Sequence, residues 1–109
     1  MDANYCLVLS TCPEGEPAES LARFLVENHL AACVNILPGL TSIYPWEGKV
    51  ETGSESLLLI KTERAVYAKL ETALRERHPY QLPEIVAIDI NHGLPDYLNW
   101  ISQWLSSAT

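Results

Sequence analysis

Residues 31 to 62, Ala-Ala-Cys-Val-Asn-Ile-Leu-Pro-Gly-Leu-Thr-Ser-Ile-Tyr-Pro-Trp-Glu-Gly-Lys-Val-Glu-Thr-Gly-Ser-Glu-Ser-Leu-Leu-Leu-Ile-Lys-Thr, read as one long β-hairpin turning at Glu47-Gly48. A first arm from Val34 to Trp46 would span roughly 40 Å at about 3.3 Å per residue. A compact domain of this length has a radius of gyration of only about 13 Å. The hairpin is therefore expected to overhang its own core and to expose Ile43, Tyr44, Trp46 and Val50 near its tip. Apolar area and unpaired strand edges of that kind are usually covered by partner chains, so an obligate homo-oligomer is expected. Pro38-Gly39 predicts a bulge in the first arm, because proline cannot donate a ladder hydrogen bond in a central strand.

Outward from the hairpin the elements follow in a regular order. Residues 5–12, Tyr-Cys-Leu-Val-Leu-Ser-Thr-Cys, are apolar, rich in strand formers and closed by Pro13, which predicts a buried strand. Pro17 suits a first helical turn, Glu16 and Glu19 complement the helix dipole, and Leu21, Phe24 and Leu25 repeat at helical spacing, giving a helix that runs to about His29. After the hairpin, Thr62 reads as the cap of a second helix with Val66, Tyr67, Leu70, Ala73 and Leu74 facing inward, stopped near His78 by Pro79. Residues 84–90 make a fourth strand, and Tyr97, Leu98, Ile101, Trp104 and Leu105 give a third helix its apolar face after Pro95. The order β-α-β-β-α-β plus a C-terminal helix folds most simply as an α+β, ferredoxin-like split sheet with its two crossover helices on one face. The other face then lacks cover, although Leu57 to Ile60 is continuously apolar, as in a strand buried on both sides.

Composition narrows the function classes. The chain has 109 residues, 48% apolar and 19% charged, enough for one domain with one core. With 14 acidic and 7 basic residues its net charge is −7, and no basic stripe is present, which argues against nucleic acid as a partner. No apolar run is long enough to span a membrane and no secretory leader is visible, so neither membrane association nor export is expected. Three cysteines, Cys6, Cys12 and Cys33, form no metal-knuckle spacing and no even disulfide set, which points to a reducing cytoplasm. Nucleophile-elbow, phosphate-loop and HExxH motifs are all absent, and no enzyme is expected.

The strings Ala31-Ala32-Cys33-Val34-Asn35, Pro38-Gly39 with Thr41-Ser42-Ile43-Tyr44, Trp46-Glu47-Gly48-Lys49 and Ile60-Lys61-Thr62 resemble the CutA divalent-cation-tolerance family. His78-Pro79-Tyr80, Pro83-Glu84-Ile85, His92-Gly93, Tyr97-Leu98 and Trp100 continue the resemblance in order and spacing across nearly the whole chain. The resemblance implies a cytosolic homotrimer of ferredoxin-like subunits that takes part in divalent cation tolerance and binds copper(II) or other divalent cations, without known catalysis and with no organic cofactor. It also implies a likeness to the trimeric PII signalling proteins, which bind small effectors between subunits.

By the same resemblance the metal ligands are Cys12, His78 and Glu84, a thiolate, imidazole and carboxylate set that suits copper or zinc better than magnesium or calcium. Some relatives carry two adjacent histidines where this chain has Arg77-His78; if the ligand is the first of the pair, Arg77 does not replace it. Each residue also has a plain structural alternative: Cys12 as a small buried apolar residue, His78 as a helix-terminal group, Glu84 as a solvated carboxylate. A second constellation, Tyr44, Trp46, Lys61, Tyr80 and Trp100, is expected to line an intersubunit cleft for a small anionic or planar effector, or to serve as packing surface. Lys61 has Asp89 and Glu84 as candidate ion-pair partners. A non-catalytic scaffold that anchors a protein partner is the remaining alternative.

Overall fold

In a computed structural model describing residues 4–107, the chain runs β1 (Tyr5–Cys12), α1 (Glu16–Glu27), β2 (Cys33–Trp46), β3 (Lys49–Glu63), α2 (Tyr67–Arg77), β4 (Val86–Ile90) and α3 (Pro95–Ser106). The four strands form one sheet in the order β2-β3-β1-β4 with every neighbouring pair antiparallel, the ferredoxin-like split arrangement. The hairpin turns at Glu47-Gly48, where both residues have positive φ, 50° and 81°. Two consecutive left-handed residues give a turn whose twist matches that of the flanking strands. Pro38 and Gly39 form the bulge, with a register shift between Leu37 and Leu40, and the Glu14 carboxylate accepts from the Gly39 N–H there. The molecule measures 44 × 29 × 23 Å with a radius of gyration of 14.6 Å, and Ile43 and Val50 near the tip are 70% and 75% exposed. The ribbon overhangs the core.

Alternation along the strands divides the sheet into two unlike faces. Cys6, Val8 and Cys12 of β1 and Leu58 and Ile60 of β3 pack against Leu21 and Leu25 of α1 and Leu70 and Leu74 of α2, forming the main core. Each fully buried aliphatic chain there contributes about 1.5–3 kcal/mol. Leu7, Leu9, Leu57 and Leu59 point the other way and are half-buried, while Val86 and Ile88 beside them are exposed. Leu57 to Ile60 is thus buried on one side only within the single chain. Helix α3 covers one end of this second face: Tyr5 and Glu63 meet Ser102 Oγ, each at 2.6 Å, and Ile101 and Leu105 close a smaller cluster over Ala32.

Three boundaries differ from expectation. Helix α1 ends at Glu27, because His29 takes a positive φ of 57° and the Leu30 N–H turns back to Leu25 O at 2.9 Å. Thr62 does not cap α2. It lies in β3 opposite Cys6, its hydroxyl donates to Leu30 O at 2.8 Å, and a 3-10 turn over Arg64–Val66 precedes the helix. Strand β4 starts at Val86 rather than Glu84. Inside α2, the Tyr67 hydroxyl donates to Glu71 Oε2 at 2.9 Å, and burial, then this bond and the Glu71 charge, push the phenol up to about 12. The unfolded chain releases that proton at the ordinary value of 10 while the folded chain retains it. The resulting stabilisation is complete below that value and is lost as pH rises toward about 12. Denaturant midpoints measured across this alkaline window should fall, and fall less steeply in Tyr67→Phe.

Candidate functional site

Where β1 ends, the chain brings three segments together. Pro79 forces the residue before it out of helical geometry, so His78 is extended (φ −71°, ψ 136°) and stops α2. Its ring turns inward and is 7% exposed. Nε2 stands 2.8 Å from Thr11 O and Nδ1 accepts from the Tyr80 N–H at 3.1 Å. A carbonyl only accepts, so the proton sits on Nε2 and both nitrogens are in use. Arg77 turns away, its guanidinium 3.8 Å from the Phe24 ring centroid. Tyr80, placed by that loop, donates to Glu55 Oε2 at 2.6 Å. Burial, then the bond to Glu55 and its charge, raise the Tyr80 phenol well above its ordinary value.

The loop and the hairpin enclose an open cleft of about 690 Å³ whose walls include Tyr44, Trp46, Tyr80, Glu55 and Glu84. Among the described residues its lining contains no lysine or arginine, so within one chain the carboxylates favour a planar or cationic occupant over the small anion that was the other expectation from the sequence. Tyr44, Trp46 and Tyr80 do come together there. Lys61 and Trp100 do not: Lys61 Nζ donates to Asn35 Oδ1 at 2.7 Å and lies 5.8 Å from the Tyr97 ring centroid, while Trp100 stacks on that same ring with centroids 5.5 Å apart. Neither expected acid pairs with Lys61, and Asp89 instead approaches Arg64 Nε at 3.6 Å. Glu55 is the wall residue that sequence reading missed, since nothing local marks a strand glutamate as the partner of a distant tyrosine.

The residues Cys12, His78 and Glu84 do not fit a closed metal site. Cys12 is wholly buried, and burial first, then the Glu55 charge, push its thiol up, whereas a metal takes the thiolate. His78 has no free lone pair, and Glu84 stands exposed on the cleft wall. Among the described residues no group of three or more His, Cys, Asp or Glu side chains is placed to hold an ion. The hydroxyls of Ser10 and of Ser56, which faces Cys12 across the strands, are buried without a hydrogen-bond partner among the described residues. Under native conditions Cys6 and Cys12 should therefore react with a thiol-specific disulfide reagent only as fast as the chain opens, and Cys33, half-buried, well before them. Mass mapping of the labelled cysteines checks this order.

The profile of the CutA1 divalent ion tolerance protein family matches residues 6–104. The divalent-cation tolerance protein CutA of Thermus thermophilus is 50% identical over 97 residues, which are 89% of this chain and 94% of that protein. Protein CutA of Mus musculus is 43% identical over 99 residues, covering 91% of this chain but only 56% of the mouse protein. Among solved structures, CutA from Xylella fastidiosa superposes with a TM-score of 0.92 at 46% identity, covering 94% of this chain and 99% of that one. CutA1 from Oryza sativa gives 0.93 at 38% identity, with 97% of each chain covered.

Proposed function

Because the chain belongs to the CutA1 divalent ion tolerance family, we propose that it serves divalent cation tolerance as a non-catalytic homotrimer, taking its ligand in the cleft between the hairpin and the 79–84 loop. The observation that carries this is the cleft lining, which presents Glu55 and Glu84 with no lysine or arginine among the described residues of the same chain and so favours positively charged ligands. Copper(II) and similar ions would meet carboxylate and phenol oxygens at its wall rather than a thiolate–imidazole cage, which makes binding weak and reversible. The half-covered second sheet face and the overhanging hairpin support a trimer, each subunit covering its neighbour's apolar area. Free thiols at Cys6, Cys12 and Cys33 suit a reducing compartment such as the cytoplasm. No helix of the described residues is long and apolar enough to cross a membrane.

Calorimetric titration of reduced, metal-free protein with Cu(II) and Zn(II) tests the reading. The expected result is affinity no tighter than about micromolar, weakened by Glu84→Gln and unmoved by Cys12→Ala. Tight binding that disappears in Cys12→Ala would restore the thiolate site and remove the cleft. Sedimentation at several concentrations tests the trimer. A second reading, a PII-like sensor for a small effector, is favoured by the size of the cleft, which is ample for an organic molecule.

A further inference from the structure

We propose that Ser10 and Ser56 bind one internal water molecule in each subunit, bridging β1 to β3 inside the core with the Cys12 thiol beside it. Both hydroxyls are sealed from solvent, Ser10 at 0% and Ser56 at 1% exposed, and neither has a hydrogen-bond partner among the described residues. The register sets them close together. Ser10 lies opposite Leu58 and Cys12 opposite Ser56, so the two serines are diagonal neighbours on adjacent strands. Both alternate onto the face packed against α1 and α2, along with Val8, Cys12, Leu58 and Ile60. Helices of the same chain cover that face, so a neighbouring subunit on the opposite face neither changes their burial nor reaches them.

A water is the group that this pair calls for. Diagonal residues on one sheet face have Cβ atoms roughly 7 Å apart or less, and a water bonded at about 2.8 Å to each of two oxygens joins a pair about 5.5 Å apart. Two hydroxyls leaning toward each other from diagonal positions leave a gap of that size. The backbone around them is committed elsewhere: residues 5–12 pair with β3, and Thr11 O holds His78 Nε2. Small side chains at three adjoining positions, Ser10, Cys12 and Ser56, interrupt a layer otherwise built from Val8, Leu58 and Ile60, which leaves room for the guest. An ion is a poorer match, because two neutral hydroxyls offer no counter-charge and burial, then the Glu55 charge, push the Cys12 thiol up and keep it protonated. Internal waters make about two to four hydrogen bonds to groups otherwise unsatisfied, and two hydroxyls and a thiol supply them here. Leaving both hydroxyls unmet costs more than immobilising one water.

The test compares the full chain with Ser10→Ala, Ser56→Ala and the double variant at equal subunit concentration. Magnetic relaxation dispersion of the solvent counts long-lived internal waters, and the double variant should hold one fewer per subunit than the wild type. Guanidinium unfolding is the second readout, and its sign separates a bridged pair from an unmet one. Each single substitution should raise the unfolding constant about fivefold per subunit, because the remaining hydroxyl and the water each lose a partner. The double variant, which removes both hydroxyls and the water together, should be no less stable than the weaker single. Unmet hydroxyls would behave in the opposite way: deleting either one would raise stability, and the two gains would add. Single variants as stable as the wild type or more so, additive losses in the double variant, or a water count that the double substitution leaves unchanged would overturn the proposal.

Discussion

A glutamate at position 59 should turn the proposed trimer into monomers, and so should one at position 88. Leu59 pairs with Leu9 and Asn35, and Ile88 pairs with Leu7, which places all of them on the sheet face away from α1 and α2. Within one subunit Leu59 is half-buried and Ile88 is 53% exposed, so either carboxylate stays hydrated in the monomer and the fold survives. In a trimer that buries this face, each glutamate loses its water and gains no partner. The cost is about 3–5 kcal/mol for each of three copies, and symmetry repeats the same charge in every subunit. Sedimentation should report one third of the wild-type mass, and melting should become lower and independent of protein concentration. Leu59→Ala, which trims area without adding charge, should weaken the assembly and leave its mass unchanged at high concentration. An unchanged mass for Leu59→Glu would move the interface off the sheet face and leave the hairpin edges as the contact.

What the sequence revealed of this fold follows from how local each cause is. The turn at Glu47-Gly48 and the bulge at Pro38-Gly39 are set by the φ preferences of those residues, and Pro17 and Pro95 open α1 and α3 for the same kind of reason. Thr62 was open to misreading because a helix cap and a strand end share extended geometry. Pairing of β1 with β3 as far as Tyr5 and Glu63 decides the matter, and no neighbour of Thr62 in sequence encodes it. The site divides along the same line. His78, Tyr80 and Glu84 sit in a loop that two prolines announce, whereas the groups they meet lie far away: Thr11 is 67 residues from His78 and Glu55 is 25 from Tyr80. Lys61 and Trp100 share the chemistry of the cleft residues, but within one chain the register carries Lys61 to the end of β3, beside Tyr97 of α3.

His78→Ala should destabilise the metal-free protein by about 2–4 kcal/mol. The ring is nearly buried and bridges two backbone groups, so its loss strands the Tyr80 N–H and removes a donor from Thr11 O. An unmet buried group costs about 1–3 kcal/mol, and the cavity left by the ring adds to that. His78→Gln retains a donor in the Nε2 position and should recover roughly half the loss, through Thr11 but not Tyr80. Because the Tyr80 N–H loses its acceptor on the ring, the Tyr80 amide should exchange with solvent much faster in His78→Ala. A metal ligand would behave in the opposite way: its removal would leave the metal-free protein as stable as before and abolish ion binding. Chemical denaturation without metal, with hydrogen exchange at Tyr80, therefore separates a locking histidine from a ligating one. An unchanged midpoint and an unchanged Tyr80 exchange rate in His78→Ala would end the locking role and return the ring to the metal.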